Sequence, residues 1–212
     1  MSTETLTKEP TEVNPARASS LSLWLESHQT ENALTSVDAV AIAIIASAFY
    51  GGTDLSDWCD GEERIDTTSL LKNQTTIDQK SLHATFASWN KSNRTQLLAY
   101  LRERRLDVTS LFEELCQASF DDAEKKPLGL IFTPPWLADK IVREAMACWR
   151  QIHGDRIPPK LAADVACGSG VFLAQLNKYV NSADIVGLDI DARCIFFSKL
   201  LARSFKTTWK LS

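Results

Sequence analysis

The stretch Asp164-Val165-Ala166-Cys167-Gly168-Ser169-Gly170-Val171-Phe172-Leu173 decides the reading of this 212-residue chain. An apolar segment, Leu161 to Val165, reads as a short strand that runs into it. Small residues and two glycines follow, and a helical pattern then spans Val171 to Tyr179. Glycine tolerates positive φ and lets a ligand come close to the backbone. The start of the helix leaves free N–H groups facing whatever the loop holds. A second apolar strand is expected from Ile185 to Asp189. Another helix is expected from Ala192 to about Arg203, capped by Asp191, with Ile195, Phe196, Leu200 and Leu201 to bury. Strand, loop, helix and strand in this order make a βαβ unit, which demands a parallel sheet.

The chemistry of the unit lies at its carboxyl edge. Past the glycine loop comes Val186-Gly187-Leu188-Asp189-Ile190-Asp191. A carboxylate at the end of the second strand can accept hydrogen bonds from both hydroxyls of a ribose. A dinucleotide fingerprint would carry a third glycine, and Leu173 stands in that place. Instead an acid, Asp164, precedes the loop. S-adenosylmethionine has no phosphate to cradle, and its ammonium group suits an acidic neighbour. The loop, Asp164 and Asp189 together therefore point to that nucleoside. Taken singly, Asp164 and Asp189 also read as ordinary strand-end carboxylates. Cys167 reads as a small packed residue, since no histidine lies near it in sequence, and Leu173 as core. Phe172 likewise reads as core, packing the helix on the sheet.

Working outward, residues 1–19 are rich in Thr, Ser, Glu and Pro and are expected to be a disordered tail. Residues 20–125 read as a helical domain of four or five helices. Leu21, Leu23, Trp24 and Leu25 begin it. Thr35 or Ser36 can cap a helix over Val37–Phe49, which Gly51-Gly52 ends. Asp54 to Thr76 is polar and turn-rich. Leu82, Phe86 and Trp89 recur at helical spacing, as do Leu97, Leu98 and Leu101, then Leu111, Phe112 and Leu115. Asp121 to Lys126, before Pro127 and Gly129, reads as a linker. Arg102, Arg104 and Arg105 read as a solvated helix face. Residues 126–212 form the α/β part. Its first helix starts with Thr133 as a hydroxyl cap before Pro134, and Leu137, Ile141, Ala145 and Cys148 share one face.

Composition narrows the function classes. The formal charge of −4 gives no support for strong duplex binding by this chain alone. The five cysteines include no C-x-x-C pair and the three histidines share no ligand spacing with them, so no metal site is expected. The chain start lacks a signal-peptide pattern, and the apolar run Ala39 to Tyr50 is too short to span a bilayer. A cytoplasmic protein without membrane attachment is expected.

At the loop the chain resembles a known family. Asp164 to Leu173 is similar to D-P-A-C-G-S-G-x-F-L, the cofactor loop of the N6-adenine DNA methyltransferases of restriction–modification systems, with Val165 in place of the usual proline. Val186 to Asp191 resembles the family's second-strand motif, and Gly129-Leu130-Ile131-Phe132-Thr133-Pro134 resembles its G-x-F-Y-T-P segment. The helical region ahead of it is also typical of type I modification subunits and fused type IIG enzymes. The resemblance covers about residues 111 to 205. It implies a Rossmann-like methyltransferase domain with S-adenosylmethionine as cofactor. It implies cofactor contacts from Phe132, Thr133, Asp164, Ala166, Cys167, Gly168, Gly170, Phe172 and Asp189. It also implies DNA and restriction or specificity subunits as partners of a parent enzyme.

The family's catalytic tetrapeptide is Asp, Asn or Ser, then Pro-Pro, then an aromatic. It holds the adenine amino group and stacks on the flipped base. Thr133-Pro134-Pro135-Trp136 resembles it, but its place directly before the cofactor loop fits the F-T-P segment instead. In a permuted order, Thr133 and Trp136 would be the catalytic residues. No other such tetrapeptide occurs, and the chain is expected to be truncated after the second strand and inactive alone. Two other functions remain open at this point. One is a non-catalytic interaction module or split subunit of a restriction–modification complex. The other is a methyltransferase acting on RNA or protein.

Overall fold

The structure is a computed structural model that describes residues 34–61, 65, 67, 71, 77–103, 108–120, 132–181 and 184–212. The expected tail, Leu21 to Leu25, the Asp121–Lys126 linker, Arg104, Arg105 and Gly129 to Ile131 lie outside the described residues.

Helix α1, Ser36–Tyr50, is buried at every position from Asp38 to Ala48. A helix that is apolar all round has to be surrounded. Its alanines at 39, 41, 43, 46 and 48 let neighbours approach closely on each side. The start is fixed by a capping box. Asp38 N donates to Thr35 Oγ1 at 3.2 Å, and Thr35 N donates to Asp38 Oδ2 at 3.2 Å. Gly51 closes the other end, as the sequence suggests.

Around it stand α2 (Ser56–Asp60), α3 (Gln79–Ser88), α4 (Lys91–Glu103) and α5 (Val108–Ala118). Of the residues expected at helical spacing, Leu82, Trp89, Leu97, Leu98, Leu101, Leu111, Phe112 and Leu115 are inside and Phe86 is half-buried. Tyr50 Oη donates to Leu101 O at 2.8 Å, tying the end of α1 to α4.

Next come α6 (Pro135–His153), β1 (Ala162–Asp164), α7 (Val171–Leu176), β2 (Ile185–Gly187), α8 (Ala192–Ser204) and β3 (Lys210–Leu211). The protein is therefore helix-rich α/β, with a small all-parallel sheet in the order β1-β2-β3. Helix α8 is buried over most of its length and packs on both α1 and α5. The helical layer and the sheet thus belong to one compact unit, Leu34–Ser212.

Three expectations need correction. The sheet does not end at the second strand, because Lys210 and Leu211 pair in parallel with Val186 and Gly187. Two residues are too few to show an alternating pattern in sequence. Thr133 does not cap α6: Pro134 holds the cap position, no side-chain capping bond forms, and the helix starts at Pro135. The second proline keeps Pro134 out of the helical region and moves the start one residue on. The buried stripe of α6 is Ala138, Val142 and Met146. Ile141 is 45% exposed, and Ala145 and Cys148 face outward. Both stripes are apolar and adjacent on the helix, so periodicity alone does not choose between them. Ala138 and Val142 are the smaller pair and admit α7 closely.

Replacing the capping hydroxyl, Thr35→Ala, is expected to cost about 1 kcal/mol of stability. Urea denaturation followed by circular dichroism measures it, and the unfolding slope should stay unchanged.

Candidate functional site

The loop between β1 and α7 is pinned from three directions. From β1, Asp164 Oδ1 accepts from Ala166 N at 3.1 Å. From the end of β2, Asp189 Oδ2 accepts from Gly168 N at 2.8 Å. From α8, Ser198 Oγ donates to Gly168 O at 2.8 Å. The parallel ladder runs on past the strands: Leu188 N donates to Asp164 O and Cys167 N to Leu188 O, both at 2.9 Å. Asp189 Oδ1 also accepts from Asp191 N at 2.9 Å, and Asp191 caps α8 by accepting from Arg193 N at 2.7 Å.

The two loop glycines differ in their surroundings. Gly168 has φ +54, and the space where a Cβ would stand is open for 4 Å. Gly170 has φ +90, and a Cβ there would lie 3.0 Å from Ser198 Oγ and 3.1 Å from the Trp209 ring. Gly168 thus presents bare backbone outward, while Gly170 lets α8 and Trp209, the residue before β3, close in behind. On β2, Gly187 has a similar duty, with Leu173, Leu211 and Cys167 all within 3.1 Å of its missing Cβ.

Two carboxylates border this loop. Burial pushes the Asp164 carboxyl above its ordinary value, the Ala166 N–H pulls it partly back, and the Asp189 charge adds to the rise. Asp164 Oδ2 is buried and has no hydrogen-bond partner. A desolvated acid of this kind is costly unless a cation comes to it. Cys167 is buried under the loop, and burial pushes its thiol up to about 12. It stays protonated and is no nucleophile at neutral pH.

Asp164, Ala166, Cys167, Gly168, Gly170 and Asp189 thus come together around one loop. Phe172 follows in the first turn of α7, half-buried, whereas its neighbour Leu173 is fully inside. Phe132 and Thr133 precede α6 and are half-buried, and Trp136 is 66% exposed. No hydrogen bond, ion pair or ring contact among the described residues joins these three to the loop. Sequence reasoning missed Ser198 and Trp209. The signal for Ser198 was a hydroxyl inside the apolar run Ile195 to Leu201, where it must find an acceptor. Among the described residues no group of His, Cys, Asp and Glu is placed to hold a metal, and no helix is long and apolar enough to cross a membrane.

Set against protein-family models, curated proteins and solved structures, the chain finds no match in any of the three.

Two measurements follow from this geometry. Both glycine-to-alanine changes strain a left-handed backbone, by roughly 1 kcal/mol. Gly170→Ala should lose clearly more stability than Gly168→Ala, because only Gly170 also has packed neighbours; equal losses in chemical denaturation would contradict that picture. Asp164→Asn keeps an acceptor for Ala166 and removes the desolvated charge. Because the folded carboxyl titrates above its unfolded value, the native state is penalised at high pH and relieved as pH falls toward that value. The Asn variant should therefore melt a few degrees higher than the parent at pH 7, with the gap closing near pH 4.

Proposed function

We propose that this chain is the cofactor-binding portion of a site-specific DNA adenine-N6 methyltransferase, of restriction–modification or related phage defence, acting in the cytoplasm. The α/β part is then the first half of a Rossmann-like S-adenosylmethionine domain. The observation that carries the reading is the Asp164 carboxylate, desolvated and with one oxygen unpartnered, beside a loop whose Gly168 faces open space.

The residues fit the cofactor's chemistry. Asp164 suits an ammonium group, since a cation offsets its buried charge. Asp189 spends one lone pair of each oxygen on a backbone N–H and keeps the others for ribose hydroxyls. Leu188 is exposed and Ile190 is 98% exposed on either side of Asp189, offering apolar surface to a heterocycle. Cys167 and Phe172 shape the loop and the first helical turn behind it. When bound, S-adenosylmethionine supplies a methyl group activated on a sulfonium. None of the 212 residues forms the family's Asn, Asp or Ser-Pro-Pro-aromatic tetrapeptide, so we assign this chain cofactor binding and leave methyl transfer unassigned to it. Thr133 and Trp136 remain the residues to test under a permuted order.

A second reading, a subunit completed by another polypeptide, is favoured by β1. Among the described residues no strand pairs with its outer edge. Leu161 is 59% and Val165 75% exposed beside it. An uncovered parallel edge of this kind ordinarily has a partner.

Calorimetric titration of the full chain with S-adenosylmethionine tests the assignment. Binding in the micromolar to sub-millimolar range is expected. It should weaken by at least about tenfold in Asp189→Ala, and should weaken as pH falls and Asp164 takes up its proton. Folded protein that shows no heat at millimolar ligand, or an Asp189→Ala variant with parental affinity, would overturn it.

A further inference from the structure

Away from the glycine loop, helices α2, α3 and α4 enclose a cavity of about 570 Å³. That volume lies within the range of small-molecule sites, which are mostly apolar with a few placed polar groups. Among the described residues, Trp58, Ile65, Phe86 and Ala87 give apolar lining, and His83 and Arg94 give two basic groups. The aromatic side is rigid. Trp89 meets Trp58 edge-on at 6.2 Å and Phe86 edge-on at 5.6 Å.

Arg94 is the unusual member. Its guanidinium lies over the Trp58 ring, 5.3 Å from the centroid, and Nη1 donates to Trp58 O at 2.7 Å. These two contacts fix the group in place but do not neutralise it. The acid at the end of α2, Asp60, is taken by Lys91 at 2.6 Å. No ion pair among the described residues includes Arg94, and its Nε is buried without an acceptor. A half-buried guanidinium held on an aromatic face, with no ion pair among the described residues, is a costly arrangement. Its remaining donors match the fork of a carboxylate or phosphate. His83 stands exposed on the same cavity, with Nε2 3.4 Å from Thr67 Oγ1.

We propose that this cavity binds a small ligand with a planar apolar body and one carboxylate or phosphate, the ring lying along Trp58 and Phe86 and the anion on Arg94. The site shares no residue with the glycine loop, so it stands whether or not the loop takes S-adenosylmethionine.

Calorimetry on the full chain with naphthoate and naphthyl phosphate tests it, with naphthyl methanol as the neutral analogue. At least one anion should bind with a sub-millimolar Kd, at least about tenfold tighter than the neutral analogue. The stronger of the two identifies the anion class. Arg94→Gln should erase the preference for the anion, and Arg94→Lys should keep part of it. Arg94→Gln also loses the bond to Trp58 O, so a second variant is needed that leaves this bond intact. Ala87→Phe fills the cavity from its exposed rim and should abolish binding with unchanged circular dichroism. Asp189→Ala should leave binding of all three probes unchanged. No binding of either anion at millimolar concentration, equal affinity for the neutral analogue, or parental affinity in Ala87→Phe would overturn the proposal.

Discussion

A helix with no polar face imposes the architecture. Helix α1 is buried from Asp38 to Ala48 and must be enclosed, and α3, α4, α5 and α8 do so. Of these, α8 matters most, because it belongs to the sheet region as well. Its first turn is held to the helical layer through Arg193, which donates to Ser119 O at 3.1 Å and lies 3.8 Å over the Phe120 ring. Further along α8, Ser198 takes the carbonyl of Gly168. The position of the glycine loop is therefore set by packing around residues far earlier in the chain.

The loop also shows how two acids at one sheet edge come to serve differently. Asp189 has one backbone donor on each oxygen, Gly168 N and Asp191 N, so it closes the loop and orders the entry to α8. Asp164 receives only Ala166 N, and its second oxygen is left in a desolvated setting. Folding thus settles one charge with backbone donors and leaves the other to be met from outside.

Much of this was legible beforehand, for identifiable reasons. The Thr35 and Asp191 caps, the buried run of α1 and strands β1 and β2 each announce themselves within a few residues, through a capping side chain or an uninterrupted apolar pattern. The glycine loop was legible because its small residues and flanking acids are contiguous. What escaped depends on distant partners. Strand β3 exists because β2 offers it an edge, and its two residues carry no pattern of their own. The choice between the two stripes of α6 is made by α7. Trp209 acquires its role only where Gly170 leaves room for its ring.

The burial of the cysteines has a practical consequence for probing this molecule. Cys116, Cys167 and Cys194 are buried; Cys167 is raised to about 12, and Cys116 is raised by its hydrogen bond with Cys194 and by burial. Cys148 is exposed on the outer side of α6, and Cys59 is only half-buried. Thiolate reagents select by exposure and ionisation. Cys148 therefore offers a natural attachment point for a dye or spin label on α6, so that movement of that helix against the sheet can be followed without introducing a cysteine or disturbing the loop.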